Sequence, residues 1–490
     1  MSMISVSRHA SAAVALLALS GCATVPHLAP DASIAPPGHY AADQSFGAAA
    51  KAASWPAADW WSSYGDPQLD ALISEALEGS PDLASAIARV RRADALARQA
   101  GAARLPTLDV SASGTAAKQS YNNGIPPAFV PQGWNDTGSV SASLGFDLDL
   151  WGRNRAAYAA ARSDAEAARL DYEQAALILS TNVADAYADL ARLFAERAVQ
   201  QTALRVREQT EALVNDRVIS GLDTQAELRQ ANAAVPAARS DLAATDEQIA
   251  LTRNRLAALL GAGPDRGLAI APPAVSITAK GIPSGVTTDL VGRRPDIAAA
   301  RARVEAEANR IKVARADFYP AVNLSAMIGF QSLGLGNLFK SGSDYGSVGP
   351  AISLPIFRGG ALDAQYRSAH ASYDEAVASY DRTVTDAYRA VADAVVSQRA
   401  LAVQLAESRK SLADFEAAHA IAIQRYKGGL STFLDVLNAQ ERTLQAQRIV
   451  ADLESRAFTL EIALVRALGG GFSSSPSSAR TAVLKDDNHG

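Results

Sequence analysis

The sequence predicts an α+β membrane protein in which strands, not helices, cross the bilayer and one structural unit occurs twice. Three observations carry this: a leader that ends at the chain's only cysteine, segments whose apolar residues alternate with period two, and long helical stretches free of glycine and proline that recur in register.

The leader comes first. Arg8 and His9 precede an apolar stretch from Ala12, and Leu19-Ser20-Gly21-Cys22 closes it. A basic start, an apolar middle and small residues before a cysteine form a bacterial lipoprotein signal. Residues 1–21 are therefore read as signal peptide, Cys22 as the lipidation site and 22–59 as an N-terminal lipidated linker. About ten apolar residues are too few to cross a hydrocarbon core, which needs roughly 20. Ala23, rather than an aspartate, follows the cysteine, and similarity to Gram-negative lipoproteins then implies sorting to the outer membrane.

Composition narrows the function. The formal net charge is −5 and no basic tract occurs, so nucleic acid is not an expected partner. With Cys22 lipidated, no disulfide remains to be made. The six histidines show no ligand spacing, so neither a metal nor a cofactor is expected. There is no nucleotide-binding loop and no nucleophile with a base, and an enzyme is not expected.

The chain is a tandem repeat. Ser80-Pro81-Asp82-Leu83 returns as Arg294-Pro295-Asp296-Ile297, and Leu105-Pro106 as Tyr319-Pro320 at the same offset. Val183-Ala184-Asp185-Ala186 returns as Val391-Ala392-Asp393-Ala394, and Gly221-Leu222-Asp223-Thr224 as Gly429-Leu430-Ser431-Thr432, at a second shared offset. The first repeat is placed at 60–262 and the second at 286–470. The Gly/Pro-rich stretch 263–285 reads as a linker, and 471–490 as a disordered tail.

Each repeat holds two strands, at about 107–118 and 137–151 in the first and about 321–332 and 346–357 in the second. In the clearest of them Val140, Ala142, Leu144, Phe146, Leu148 and Leu150 share one face, opposite Ser139, Ser141, Ser143, Gly145, Asp147 and Asp149. Such segments have the length of tilted transmembrane strands with a lipid-facing side. Trp134, Trp151, Phe318, Tyr319, Tyr345 and Phe357 near the strand ends suit an interfacial belt. Pro355 predicts a strand end or break. Four strands cannot close a barrel and lipid forbids an open edge, so copies must pool strands: two give eight, three give twelve.

Each repeat also holds one long helix, 154–219 and 361–427, and two shorter ones, 80–105 with 223–260 and 294–319 with 431–468. Pro106 and Pro320 mark where a short helix turns into a strand, and Pro236 predicts a kink. Gly221 and Gly429 suit the left-handed turn that ends a helix. Asp435 and Asn438 share a helix face by their spacing.

These residues resemble a known family. Trp60-Trp61, Tyr64-Gly65-Asp66-Pro67, Leu69-Asp70, Trp151-Gly152-Arg153-Asn154-Arg155, Phe357 with Gly359-Gly360, and Tyr426 with Gly429 before Leu434-Asp435-Val436-Leu437 are similar to the TolC/OprM-type outer membrane factors of the NodT lipoprotein branch. The resemblance implies a homotrimer with a twelve-stranded outer-membrane barrel continuous with a long periplasmic α-helical barrel. It also implies a passive duct for drugs or other small toxic compounds, working with a periplasmic membrane-fusion adaptor and an inner-membrane pump of the resistance-nodulation-division or major facilitator class. A type I secretion conduit for proteins shares this fold, and a non-pore structural coiled-coil lipoprotein is a third expectation. The resemblance further implies that the tip turns at Gly221 and Gly429 meet the adaptor. It puts Asp435, with Leu434 and Asn438, in a lumen-facing gate ring that favours cations, and pairs Tyr426 with an acidic residue, here Glu227. Ser431 and Glu441 stand where some members carry basic residues, so part of the family's closed-state contacts is absent.

Overall fold

The computed structural model describes residues 25–36, 39–40, 42–46, 52–275, 282–283 and 286–473. The expected signal peptide, the expected lipidation site Cys22 and the expected tail from 474 onward lie outside the described residues. The eleven principal elements are α1 (Pro67–Gly79), α2 (Pro81–Ala102), β1 (Thr107–Ala117), β2 (Asn135–Asp147), α3 (Arg153–Ile219), α4 (Gln225–Leu259), α5 (Pro295–Ala316), β3 (Ala321–Leu333), β4 (Asp344–Ser353), α6 (Ala361–Lys427) and α7 (Phe433–Ala467). The duplication shows in their lengths: α2 and α5 have 22 residues each, α3 and α6 have 67, and α4 and α7 have 35. Two compact units divide the chain.

The first unit comprises Met1–Ile34, Val90–Ala168 and Ala300–Tyr380 and holds the antiparallel sheet β1-β2-β3-β4. Its register aligns the alternation of all four strands. One face carries the ladder Leu108, Leu144, Ala326, Val348 and the next, Val110, Ala142, Ile328, Gly346; the other carries Ser111, Ser141, Gly329, Tyr345. On that polar face Ser111 and Ser141 lie 3.0 Å apart, oxygen to oxygen, and Ser113 and Ser139 2.8 Å. Among the described residues β1 and β4 each pair on one side only, and all of β1 is exposed.

Two strands end earlier than the alternation predicts. β2 stops at Asp147 rather than 151, because Asp149 takes the left-handed conformation at φ 47° and turns the chain. Its carboxylate accepts the Asn154 and Arg155 backbone N–H groups at 2.8 and 3.0 Å, capping the start of α3. β4 spans Asp344–Ser353, not 346–357, and ends two residues before Pro355. Pro350 lies inside it, opposite Leu324, a position an edge strand tolerates. Of the predicted belt aromatics, Phe318 is instead buried, packing with Ala314 and Tyr366.

The expected linker at 22–59 is not a free tail where it is described. Val25 and Leu28 pack against the Phe318 cluster, Asp31 bonds His370, and the Ala32 N–H donates to Asp374 Oδ1 at 2.8 Å.

The second unit comprises Ala35–Arg89, Arg169–Ala299 and Asp381–Gly490. Its main core gathers Trp60, Tyr64, Leu69, Leu72 and Ile73 with Val183, Tyr187, Leu190, Leu256, Phe458 and Ile462. The aromatic-rich motif at 60–70 builds α1, a helix the periodicity reading missed. Pro67 sits at its first position and Asp66 caps it, accepting the Gln68 N–H at 3.0 Å. The other Asp66 oxygen accepts the Tyr187 hydroxyl at 2.6 Å and the Ala274 N–H at 2.9 Å. The expected linker 263–285 is thereby tied at Ala274, and its described part also contains a short helix, Asp265–Leu268. Within this unit Tyr40 and Phe46 stack on Tyr388. α4 continues as helix through Pro236. Among the described residues no helix is long and apolar enough to cross a membrane.

Candidate functional site

The candidate site is the end of the second unit where α3 turns into α4 and α6 into α7. Both turns have the same construction. Gly221 adopts φ 71° and Gly429 φ 73°, the left-handed geometry that a side chain would strain. The Leu222 N–H then reaches back to the Arg217 carbonyl, and the Leu430 N–H to that of Arg425, each at 2.8 Å. Leu222 and Leu430 project into solvent at the two turns.

Each following helix opens with a capping box. Thr224 caps α4, its backbone N–H donating to Glu227 Oε2 at 2.9 Å, and Thr432 caps α7, donating to Asp435 Oδ2 at 2.9 Å. Bonds from Thr224 hold Glu227 below the usual carboxylate range. Bonds from the Thr432 backbone and then its hydroxyl do the same for Asp435. Asp435 is thus a fixed, ionised group. It is exposed, as are Leu434 and Asn438, so all three sit on a surface of the chain rather than in its packing.

The two repeats are joined through Tyr426. This residue, 1% exposed, packs with Val214, Ala231, Phe433 and Val436. Its hydroxyl donates to Asp223 Oδ2, not to Glu227. Glu227 is committed to its own cap, and Asp223, on the turn itself, is the acidic partner. Arg217 completes the cluster: Nε reaches Asp223 Oδ2 at 2.9 Å, Nη2 reaches Oδ1 at 3.3 Å, and the guanidinium lies 4.4 Å from the centre of the Tyr426 ring. Burial is the largest influence on Asp223 and raises its pKa, but the bonds from Arg217 and Tyr426 outweigh it and leave it below the ordinary value. Burial, then the bond to Asp223, pushes the Tyr426 phenol up, so it stays a donor.

The second repeat lacks this clasp. Ser431 stands where the first has Asp223, its buried hydroxyl has no partner among the described residues, and Arg425 bonds the Leu430 carbonyl instead. Glu441, on α7, pairs with Arg207 of α3 at 2.8 Å and so adds a further tie between the repeats. The sequence reading missed Arg217, Asp223 and Arg207. A visible signal was the capping pattern Thr224-x-x-Glu227, which removes Glu227 from the candidates for Tyr426.

A family model described as "Outer membrane efflux protein" matches residues 72–262 and 287–470. The chain is 37% identical over 374 residues to a fusaric acid resistance protein, FusA, of Burkholderia cepacia, covering 73% of this chain and 69% of the relative. It is 31% identical over 459 residues to the pyoverdine export outer membrane protein OpmQ of Pseudomonas putida, covering 93% and 96%. Among solved structures, the outer membrane protein VceC of Vibrio cholerae superposes with a TM-score of 0.82 at 46% identity, covering 86% of this chain and all of that one.

Proposed function

The chain belongs to the outer membrane efflux protein family, and on that premise we propose that it is the outer-membrane duct of a tripartite efflux system. Three copies pool their strands into one barrel, and their helices line a periplasmic tunnel. Drugs or other small toxic compounds pass outward without chemistry in the duct, delivered by an inner-membrane pump of the resistance-nodulation-division or major facilitator class through a periplasmic adaptor. Relatives named for fusaric acid resistance, pyoverdine export and multidrug resistance support small-molecule cargo.

The observation that carries this reading is the sheet. All four strands turn one apolar face to the same side, and among the described residues both outer strands keep an unpaired edge. Lipid accepts the face but not the edges, so further copies must satisfy them. At the tip, Asp223, Arg217 and Tyr426 hold the two turns of one chain together, and Asp435 contributes one carboxylate per copy to a ring at the constriction. Cys22 carries the lipid that delivers the chain to the outer membrane.

Planar-bilayer recording of the purified protein, with susceptibility of a deletion strain to antibiotics, dyes and aromatic acids, tests the proposal. The expected result is a discrete cation-favouring channel and a strain more sensitive to at least one class. Absence of any channel from a correctly folded oligomer would overturn it.

A further inference from the structure

We propose that the end of the sheet from which α3 and α6 depart is a collar that binds the headgroups of anionic phospholipids in the periplasmic leaflet. The inference rests on the membrane-spanning reading of the sheet and adds a ligand to it.

Pairing places the start of β1, the end of β2, the start of β3 and the end of β4 side by side. Adjacent strands lie about 4.8 Å apart, so the flanking segments share one rim. Exposed apolar residues continue past the last paired residues, Leu148 and Leu150 after β2 and Leu354 and Ile356 after β4. Trp151, also exposed, donates its indole N–H to the Pro320 carbonyl at 2.8 Å and stacks on Tyr319 at 4.7 Å, an amphipathic ring where an apolar band ends.

Charge changes at this rim. The segments flanking the four strand ends carry Arg104, Arg153, Arg155, Arg315 and Arg358 against Asp147, Asp149 and Asp317, on a chain that is acidic as a whole. The three aspartates are already engaged. Asp147 accepts from Asp149 N and Asn154 Nδ2, Asp149 caps α3 and pairs with Arg155, and Asp317 pairs with Arg153 at 2.6 Å. Arg104, Arg315 and Arg358 are exposed, and among the described residues none has a carboxylate partner; Arg104 lies over the Tyr158 ring. At the opposite end of the sheet Lys118 and Lys340 are balanced by Asp136 and Asp344. Guanidinium forks match phosphate oxygens bidentately, and basic residues just beyond an apolar span attract an anionic leaflet. The collar sits on the helix side of the sheet, which faces the periplasm, so its phosphates come from phospholipid.

Native mass spectrometry of the full-length oligomer tests this, with phosphatidylglycerol and phosphatidylethanolamine of identical acyl chains in competition. The wild type is expected to retain phosphatidylglycerol by about fivefold or more. R104Q/R315Q/R358Q should bring the ratio close to one, R104K/R315K/R358K should keep most of the preference, and K118Q/K340Q should leave it unchanged. Equal retention by the wild type, an unchanged preference in the glutamine variant, or a preference lost only in K118Q/K340Q would each overturn the collar. Channel formation in vesicles of phosphatidylcholine alone reads the span separately. Failure there overturns the membrane reading and the collar with it, whereas a channel without lipid preference overturns the collar alone.

Discussion

At the residue scale the tip is an asymmetric joint made from a symmetric duplication. Arg217 and Arg425 occupy equivalent places, but only the first repeat supplies a carboxylate, Asp223, where the second has Ser431. Tyr426 crosses from the second repeat to use it. Tyr426→Phe removes a bond to a charged acceptor, worth about 1.5–3 kcal/mol. Amide hydrogen exchange at the end of α6 should then quicken about tenfold while β1 to β4 are unaffected, and single-channel conductance should rise. Asp223 is a carboxylate with a lowered pKa. Its contribution is therefore complete above the ordinary 3.8 and drains away as pH falls through its folded value. Wild-type conductance should accordingly be flat from about pH 8 to pH 5 and change only in stronger acid; a step near neutrality would point to a different titrating group. Asp435, held ionised by its cap, should give cation selectivity over the same range, and Asp435→Asn should weaken it in reversal-potential measurements. The partner of Tyr426 was legible only through the capping pattern Thr224-x-x-Glu227: Asp223 and Glu227 are both acidic, and the cap claims Glu227.

At the element scale, period-two alternation identified all four strands, because a sheet between lipid and a polar interior forces it on each strand. Strand ends were less legible. β2 is ended by the backbone conformation of Asp149, which no periodicity encodes, and α1 was hidden because a short helix capped by Asp66 and Pro67 resembles a turn. The alternation makes a sharp prediction. Ile328 sits mid-strand on the apolar face of β3, and Met327 beside it on the other face. Ile328→Arg should destabilise the inserted protein by about 2–4 kcal/mol and deplete the heat-resistant oligomer on gels, whereas Met327→Arg should leave it. Equal effects would remove the assignment of the lipid side.

At the scale of the whole molecule, the duplication was readable and the seam between copies was not, because nothing in one chain records which edge meets which. β1 and β4 are the available edges. In a Cys22→Ser background, a cysteine scanned along 108–114 with a second at Val348 should crosslink neighbouring copies into a ladder that stops at three. A ladder ending at two would mean eight strands. That background should itself yield some functional oligomer, since the pooled strands of the proposed barrel already hold it in the membrane. The unpaired edges also have a genetic consequence. A chain that folds but closes no seam properly spoils the two neighbours it joins, so such alleles act as dominant negatives. With equal expression and random mixing, only about one assembly in eight is wholly wild type, and resistance in a merodiploid should fall far below half rather than to half.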